Sequence, residues 1–453
     1  MKSTKTIFFG LLAVLGFQSN VFAQESGLSF SQAQDLMKGN NKQFQINQKK
    51  LETSQFNEKA SKALSYPKFN AFAAATWMDK DIALDLNDKR AQVAGLLQIP
   101  NPSILGNWNF TLQENDVQMV GLGVTWPIYT GGKIKAAQNV SKIKTEIAKN
   151  ENRTETQKLV SELAEYYYKA KLAQEAVEVR QLVFDGMQKH LYNAQKLEEN
   201  GIIAGAETLQ AKVAVANSER ELLASKKDLD LAKEALASTM EVEDVNEKLS
   251  SPFFVSSNLL PLNYYQDLAS NNFPQIEKLK LLEQLSEQKI KAEKANHLPT
   301  VAVFGQKILA SNNLPLDNPL FLGVGVKYDL FDGFATKNNV RAAESEKSTL
   351  ELARKKAELD IRTLVSKYYK ELEKQEEQIT SLEVSKDLAG ELVRVRERAF
   401  SEGIANSVDV VDAQMNQASI HLQTLKAYSD YDITLAKLYE ICGISDQYTS
   451  ETF

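Results

Sequence analysis

The chain has 453 residues, a formal net charge of −6, a single cysteine and only ten prolines. The acidic excess argues against nucleic acid as a partner, and a lone thiol, Cys442, excludes an intramolecular disulfide. The prolines stand at 67, 100, 102, 127, 252, 261, 274, 299, 315 and 319, which leaves 128–251 and 320–453 free of them, as very long helices require.

Residues 1–23 read as an export signal: Lys2 and Lys5, an apolar run over 7–17, then Val21, Phe22 and Ala23 as the cleavage site. Export would leave a mature chain of net charge −8, since Lys2 and Lys5 depart with the signal. The apolar run is too short to span a bilayer, and no later stretch is long and apolar enough for a membrane helix. No cysteine lies at the cleavage point to carry a lipid.

From 28 to 65 the spacing predicts a helix, with Leu36, Ile46 and Leu51 on its apolar positions, stopping at Tyr66 and Pro67. Its twin over 260–298 stops at Pro299, and a constant offset of 232 relates 28 to 260 and 67 to 299. A proline directly after a helix pushes its predecessor into extended geometry, so strands are expected next. The first pair is expected at about 68–78 and 117–127, with Phe69 and Trp77 on one side. Val120, Leu122, Val124 and Trp126 there alternate with Met119, Gly121, Gly123 and Thr125. The second pair is expected at about 300–310 and 321–331, where Leu322, Val324, Val326, Tyr328 and Leu330 alternate with Gly323, Gly325, Lys327 and Asp329.

Strands of roughly ten residues, apolar on one face and small or polar on the other, suit a tilted crossing of a bilayer. One such segment alone fits a soluble hairpin packed on a helix better. The tips differ, 79–116 against 311–320, and neither holds an interpretable motif.

Gly121-Leu-Gly-Val-Thr-Trp-Pro-Ile-Tyr-Thr-Gly131 returns as Gly323-Val-Gly-Val-Lys-Tyr-Asp-Leu-Phe-Asp-Gly333. The same offset of 202 relates Gly201 to Gly403, so the chain is internally duplicated. After each motif a helix is expected, 133–199 and 336–402, each about 100 Å long. Heptad positions run through Ile361, Val365, Tyr368, Leu372, Ile379, Leu382, Ala389, Val393 and Phe400, interrupted by Gln375, Lys386 and Arg396. Their counterparts are Leu159, Leu163, Tyr166, Ala170, Val177, Arg180, Met187, Leu191 and Glu198. That spacing predicts coiled-coil packing, with reversals at Gly201 and Gly403 and return helices to about Met240 and Ile441. The halves divide as 24–259 and 260–453, the second closing on a short C-terminal tail.

Four strands cannot close a barrel, and an unpaired edge in lipid costs several kcal/mol per backbone group. If the strands are in a membrane, the chain must therefore oligomerise. A trimer gives a twelve-stranded barrel, while symmetry alone also permits a dimer or tetramer.

The duplicated helix, strand, strand, helix order, the junctions at Pro67 and Pro299, the Gly121 and Gly323 motifs and the tips at 201–211 and 403–413 together resemble the TolC-type outer-membrane efflux proteins. The resemblance covers about 28–443. It implies an all-α barrel of long coiled-coil hairpins joined to a transmembrane β-barrel, four strands per subunit and a homotrimer. It implies a passive export duct in the outer membrane extending into the periplasm, serving efflux or type I secretion, with no cofactor. The implied partners are outer-membrane lipid, a periplasmic adaptor (membrane fusion protein) and an inner-membrane transporter of RND, ABC or MFS type. A structural coiled-coil scaffold or periplasmic adaptor is the alternative.

The resemblance places Asp409 and Asp412, three apart on one helix face, at the periplasmic mouth, where three copies would set six carboxylates around a constriction. It brings Gly201, Ile202, Ile203, Gly403 and Ile404 to the adaptor. Some members carry an arginine two residues after the second tip glycine; Ala405 stands there, so any closing lock uses other residues. Read without the resemblance, Asp409 is a helix-start residue and the glycines simply make the turns. His190, His297 and His421 are isolated and read as surface or seam histidines, not metal ligands. Gly131-Gly132-Lys133 lacks the rest of a phosphate loop and reads as the strand-to-helix turn. Tyr166 to Tyr168, Tyr368 and Tyr369 read as packing, and an enzyme is the least supported class.

Overall fold

The computed structural model describes residues 27–256, 259–314 and 318–451, so the expected signal over 1–23 lies outside the described residues. The first half runs β1 (Gly27–Leu28), α1 (Phe30–Asn40), α2 (Lys42–Lys62), β2 (Lys68–Trp77), β3 (Ile82–Asp85), α3 (Asn87–Leu96), β4 (Asn109–Gln113), β5 (Asp116–Tyr129), α4 (Lys133–Glu199), α5 (Gly205–Met240) and β6 (Lys248–Leu249). The second runs α6 (Leu262–Asn272), α7 (Pro274–Lys294), β7 (Thr300–Asn312), β8 (Leu320–Lys327), α8 (Ala335–Ser401), α9 (Ser407–Cys442) and α10 (Ser445–Glu451).

The corresponding helices of the two halves have the same lengths. Helices α1 and α6 have 11 residues each, α2 and α7 have 21, α4 and α8 have 67, and α5 and α9 have 36. The single helix expected over 28–65 is in fact two, and so is its twin over 260–298. Asn41 leaves the helical region (φ −60°, ψ 120°), and its side-chain oxygen accepts from Phe44 N, restarting the chain as α2. Phe273 repeats that backbone at an offset of 232 (φ −62°, ψ 119°), with Pro274 at the first position of α7, where a missing N–H costs nothing. The C-terminal segment expected as a tail folds back as α10, with Tyr448 fully buried.

Strands β2, β5, β7 and β8 form one antiparallel sheet in that order. In the first hairpin Lys68 lies opposite Thr125 and Phe72 opposite Gly121; in the second Thr300 lies opposite Lys327 and Phe304 opposite Gly323. Shifting the first strand by 232 and the second by 202 converts one set of pairs into the other, so the duplication preserves strand register as well as sequence. Strand β8 stops at Lys327, short of the expected 331, and Tyr328 falls just beyond it. The residue opposite Tyr328 would be Pro299, which has no N–H to extend the ladder. The long tip over 79–116 is not structureless: β3 and β4 pair there, and α3 lies between them.

Helices α2 and α7 pack on the part of α4 nearer the sheet, and α7 also on α8. Away from the sheet, α4 pairs with α5, α8 with α9, and α4 with α9, which joins the two long hairpins side by side. The seam holds buried Leu163, Ala170 and Met187 of α4 and Ile361, Val365, Leu372, Ile379, Ala389 and Phe400 of α8. Gln375 interrupts it without cost to polar satisfaction on one side, since its Nε2 donates to Thr434 Oγ1 at 3.1 Å.

Around the middle of the long helices, β1, β6, α1, α6 and α10 wrap an aromatic core of Phe30, Tyr167, Tyr168, Tyr265, Tyr439 and Tyr448. The Phe30 ring meets Tyr448 edge-on at 5.3 Å and Tyr167 at 5.6 Å. Tyr167 Oη donates to Leu28 O at 2.7 Å and accepts from Ser251 N at 3.1 Å, tying α4 to β1 and to the segment after β6. Beside this core lies Asp432, fully buried, and no hydrogen bond of ordinary geometry reaches either carboxyl oxygen among the described residues.

Burial holds the Asp432 carboxyl well above the usual carboxylate range, against a weaker opposing pull from the Phe254 amide. Between the unfolded and folded pKa values the native state binds one proton more than the unfolded chain. Stability therefore falls as pH rises through that window, by up to about 1.4 kcal/mol per pH unit. Asp432→Asn is expected to raise the thermal unfolding midpoint at pH 7.5, by an amount that shrinks toward pH 4. An unchanged or lower midpoint at pH 7.5 would contradict this assignment.

Candidate functional site

Period-2 alternation and the observed pairing put Phe69, Ala71, Ala73, Ala75 and Trp77 of β2 on the same sheet face as Val120, Leu122, Val124 and Trp126 of β5. Val301 and Val303 of β7 and Leu322, Val324 and Val326 of β8 complete that face. Leu322, Val324 and Val326 are 73, 67 and 68% exposed, and Phe69 and Trp77 are 79 and 72% exposed, a concentration of apolar surface that water alone would not favour. Phe69 and Trp77 lie about 26 Å apart along the strand, close to the height of the apolar band of a membrane barrel. Tyr328, expected on this face, lies outside β8, and the face carries two charged residues, Lys307 opposite Leu122 and Leu320 and Asp116 opposite Trp77. Strands β2 and β8 each have a neighbour on one side only, so both sheet edges are open among the described residues.

The opposite face explains the glycines of the repeated motif. A Cβ on Gly121 would lie 2.6 Å from Phe72 Cζ, and one on Gly323 would lie 2.5 Å from Phe304 Cζ. Each ring covers the glycine across from it, the arrangement by which aromatic residues rescue glycine in a strand. Phe72 and Phe304 could not be singled out from the sequence, because the pairing depends on register. The remaining residues of this face include Lys68, Asn70, Thr76, Thr125, Thr300, Gln306 and Lys327.

At the far ends of the long helices the chain reverses over 200–204 and 402–406. Gly201 and Gly403 have φ of 71° and 73°. Ile202 N donates to Leu197 O and Ile404 N to Ala399 O, each at 2.9 Å, the longer bond of a Schellman cap. Ile202 and Ile404 are 57 and 77% exposed, whereas Ile203 turns inward on a small cluster of Ala194, Ala211, Phe400 and Val410. The two tips touch: a Cβ on Gly403 would sit 3.3 Å from Ile202 Cγ2.

Asp409 is half-buried in the first turn of α9, where its amide donates to Asn406 Oδ1 at 2.8 Å and its carboxylate accepts from Asn406 N at 3.4 Å, a capping box. Arg396 Nη1 stands 3.9 Å from its Oδ1. Asp412, one turn further, is exposed.

His190 is a buried seam residue, as one of the two expected readings has it. Its Nε2 lies 2.7 Å from Ser407 Oγ, its ring packs on Phe400 at 4.6 Å, and it is buried. Ser407 N donates to Glu207 Oε2 at 2.6 Å. These contacts bind the first hairpin to the second just above the tips. Burial lowers the His190 pKa, opposed by the Glu397 and Glu207 carboxylates, which keeps the ring neutral near pH 7. The sequence gives no local signal for this pair, whose members are 217 residues apart.

Among the described residues no group of three or more His, Cys, Asp or Glu is placed to hold a metal, and no helix is long and apolar enough to cross a membrane. Gly131 and Gly132, with φ of 62° and 92°, form the strand-to-helix turn before α4. The two regions thus offer an apolar sheet and a charged, glycine-turned hairpin end, joined by about 100 Å of helix.

Comparison with known proteins gives the same picture. Residues 34–240 and 265–444 match the outer membrane efflux protein family. The fold is similar to that of CusC, described through conformational changes on folding and transmembrane channel formation, at a TM-score of 0.74 and 13% identity over 91% of each chain. It is similar to the open state of the Neisseria gonorrhoeae MtrE outer membrane channel, at a TM-score of 0.71 and 14% identity over 93% of this chain and 90% of that one. It is likewise similar to the Campylobacter jejuni CmeC outer membrane channel, at a TM-score of 0.70 and 12% identity over 98% of this chain and 94% of that one. No curated protein sequence matches the chain. With the family matched over most of its length in two segments that coincide with its two repeats, the chain belongs to the outer membrane efflux protein family.

Proposed function

We propose that three copies of this chain close a twelve-stranded barrel in the outer membrane and continue it as a tube of helices into the periplasm, forming the passive duct of a tripartite efflux or type I secretion system. Proteins of this family are outer-membrane efflux channels, non-enzymatic conduits. The observation that carries the finer reading is the four-stranded sheet with an apolar face and two open edges, β2 and β8. A backbone edge is unaffordable in lipid, and a second and third copy supply the missing partners. A soluble scaffold would have no use for Leu322, Val324, Val326, Phe69 and Trp77 on one exposed face.

In this reading the apolar face, with Val120, Leu122, Val124 and Trp126, meets lipid, and the face bearing Phe72 and Phe304 lines the lumen. Ile202 and Ile404 are the apolar contacts offered at the tips to a periplasmic adaptor, with Gly201 and Gly403 shaping the turns and Ile203 bracing them from inside. The adaptor in turn couples the duct to an inner-membrane transporter of RND, ABC or MFS type. Asp409 and Asp412 form the mouth ring, with Arg396 partly neutralising Asp409. The His190, Ser407 and Glu207 contacts are suited to hold the two tips of each subunit together in place of the arginine absent at Ala405.

Planar-bilayer recording tests the duct and its mouth together. The purified protein is expected to conduct with a preference for cations and to be blocked by multivalent cations from the periplasmic side. Asp409→Ala combined with Asp412→Ala is expected to raise the concentration needed for half-block at least about fivefold. Conductance and block identical to those of the unaltered protein would remove both residues from the mouth.

A further inference from the structure

In the proposed duct the sheet face turned away from lipid has a chemistry of its own. The charged residues of β2, β5, β7 and β8 are Lys68, Asp116, Lys307 and Lys327. Strand parity and the observed pairing put Asp116 and Lys307 on the apolar face, so the lumen face of these strands carries two lysines and no carboxylate. This reverses the sign of the whole chain, whose formal charge is −6, and of Asp409 and Asp412 at the far end of the helices. Among the described residues Lys68 has no ion-pair partner, whereas Lys327 has Asp329 at 3.4 Å.

Two adjacent rows of the lumen face surround this free ammonium. One runs Lys68, Thr125, Phe304 and Gly323 across the four strands, and the next runs Asn70, Gly123, Gln306 and Phe321. The glycines leave room for their neighbours: a Cβ on Gly123 would lie 2.7 Å from Asn70 Oδ1, and the Phe304 ring lies over Gly323. Phe304 and Phe321 are each 48% exposed. We infer that these rows form a solute-binding station inside the barrel that takes anions carrying an aromatic body. Lys68 holds the anionic group, Phe304 and Phe321 receive the ring, and Asn70, Thr125 and Gln306 supply hydrogen bonds to its polar edge.

Position and scale support the station. Strand β2 begins at Lys68, directly after Pro67, so the station stands at the end of the sheet joined to the helices, where a solute passes from the helical tube into the barrel. Twelve strands about 4.8 Å apart and tilted about 40° put the barrel axis roughly 12 Å from the backbone, and an extended lysine side chain covers about half of that. Any ion on the axis is then within one Debye length of three Lys68 ammonium groups, about 10 Å at 0.1 M salt. A lysine at a strand end can serve only to anchor the strand at a membrane surface or to guard an open edge. Lys68, however, faces away from Phe69 and Trp77, and the amides and rings in its two rows have no part in either task.

This inference rests on the duct reading, and single-channel recording separates the two. 2-Naphthalenesulfonate added on the barrel side is expected to interrupt the current, with half-block on the order of millimolar. Methanesulfonate, which lacks the ring, and 2-naphthylmethylammonium, which has the opposite charge, are expected to leave the current uninterrupted at the same concentration. Lys68→Gln is expected to raise the half-blocking concentration at least about fivefold and Phe304→Leu at least about threefold, while Lys68→Arg stays within about twofold of the unaltered protein. Lys307→Gln removes the same charge from the lipid face and is expected to leave block unchanged. The three-probe comparison on the unaltered protein decides the matter even where a variant does not assemble. No block of an open channel, equal block by methanesulfonate, or block that Lys68→Gln and Phe304→Leu leave unchanged overturns the station and leaves the duct standing. A protein that does not conduct and runs as a monomer brings down the duct, and this inference with it.

Discussion

A backbone N–H or C=O in lipid has to find its partner in protein, and a four-stranded sheet leaves two edges without one. Every larger feature of this chain follows from that constraint. In the proposed duct the apolar face meets lipid, further copies complete the open edges of β2 and β8, and the ring so formed sets the spacing at which the helices descend. In that duct helices of 67 residues need no membrane-spanning hydrophobicity, because they would continue the cylinder in water as a wall of paired coils.

Duplication suits one chain to the geometry of the proposed ring. A wall built from repeated units closes smoothly only if each unit rises by the same amount, and the matched helix lengths and the shared hairpin register supply that equality. The halves diverge where equality is not needed. The strand-to-helix turn uses Gly132 at φ 92° in the first half and Phe334 at φ 65° in the second, a position where a bulky side chain is strained. The tips of the strand hairpins differ in length, and the return helices start differently, from Ala204 without a side-chain cap in the first half and from the Asn406 and Asp409 capping box in the second. The hydrogen bond between His190 and the Ser407 hydroxyl, and the one that Ser407 N donates to Glu207, then make the unlike helix tips one unit.

Local signals made much of this architecture legible in the sequence. Proline placement, glycine at the reversals, period-2 alternation and two constant offsets are all statements about near neighbours or about self-similarity, and they identify strands, long helices and turns without any knowledge of packing. What escaped depends on distant partners. The breaks at Asn41 and Phe273 are the exception, since the capping Asn41 and Pro274 are local signals, masked only because helical spacing resumes at once on either side. The early end of β8, which excludes Tyr328, follows from Pro299 on another strand. Phe72 and Phe304 acquire their meaning only when register puts them over Gly121 and Gly323. His190 acquires its meaning only when the second hairpin brings Ser407 to it. The inward packing of Ile203 and the folding back of Tyr448 belong to the same class.

Native mass spectrometry of the membrane-extracted protein in detergent tests closure of the sheet between copies most directly. Three chains in one complex, resistant to dissociation until heated, is the expected result. A single chain, stable and monodisperse in buffer without detergent, would show that the sheet edges need no partner and that no barrel is formed.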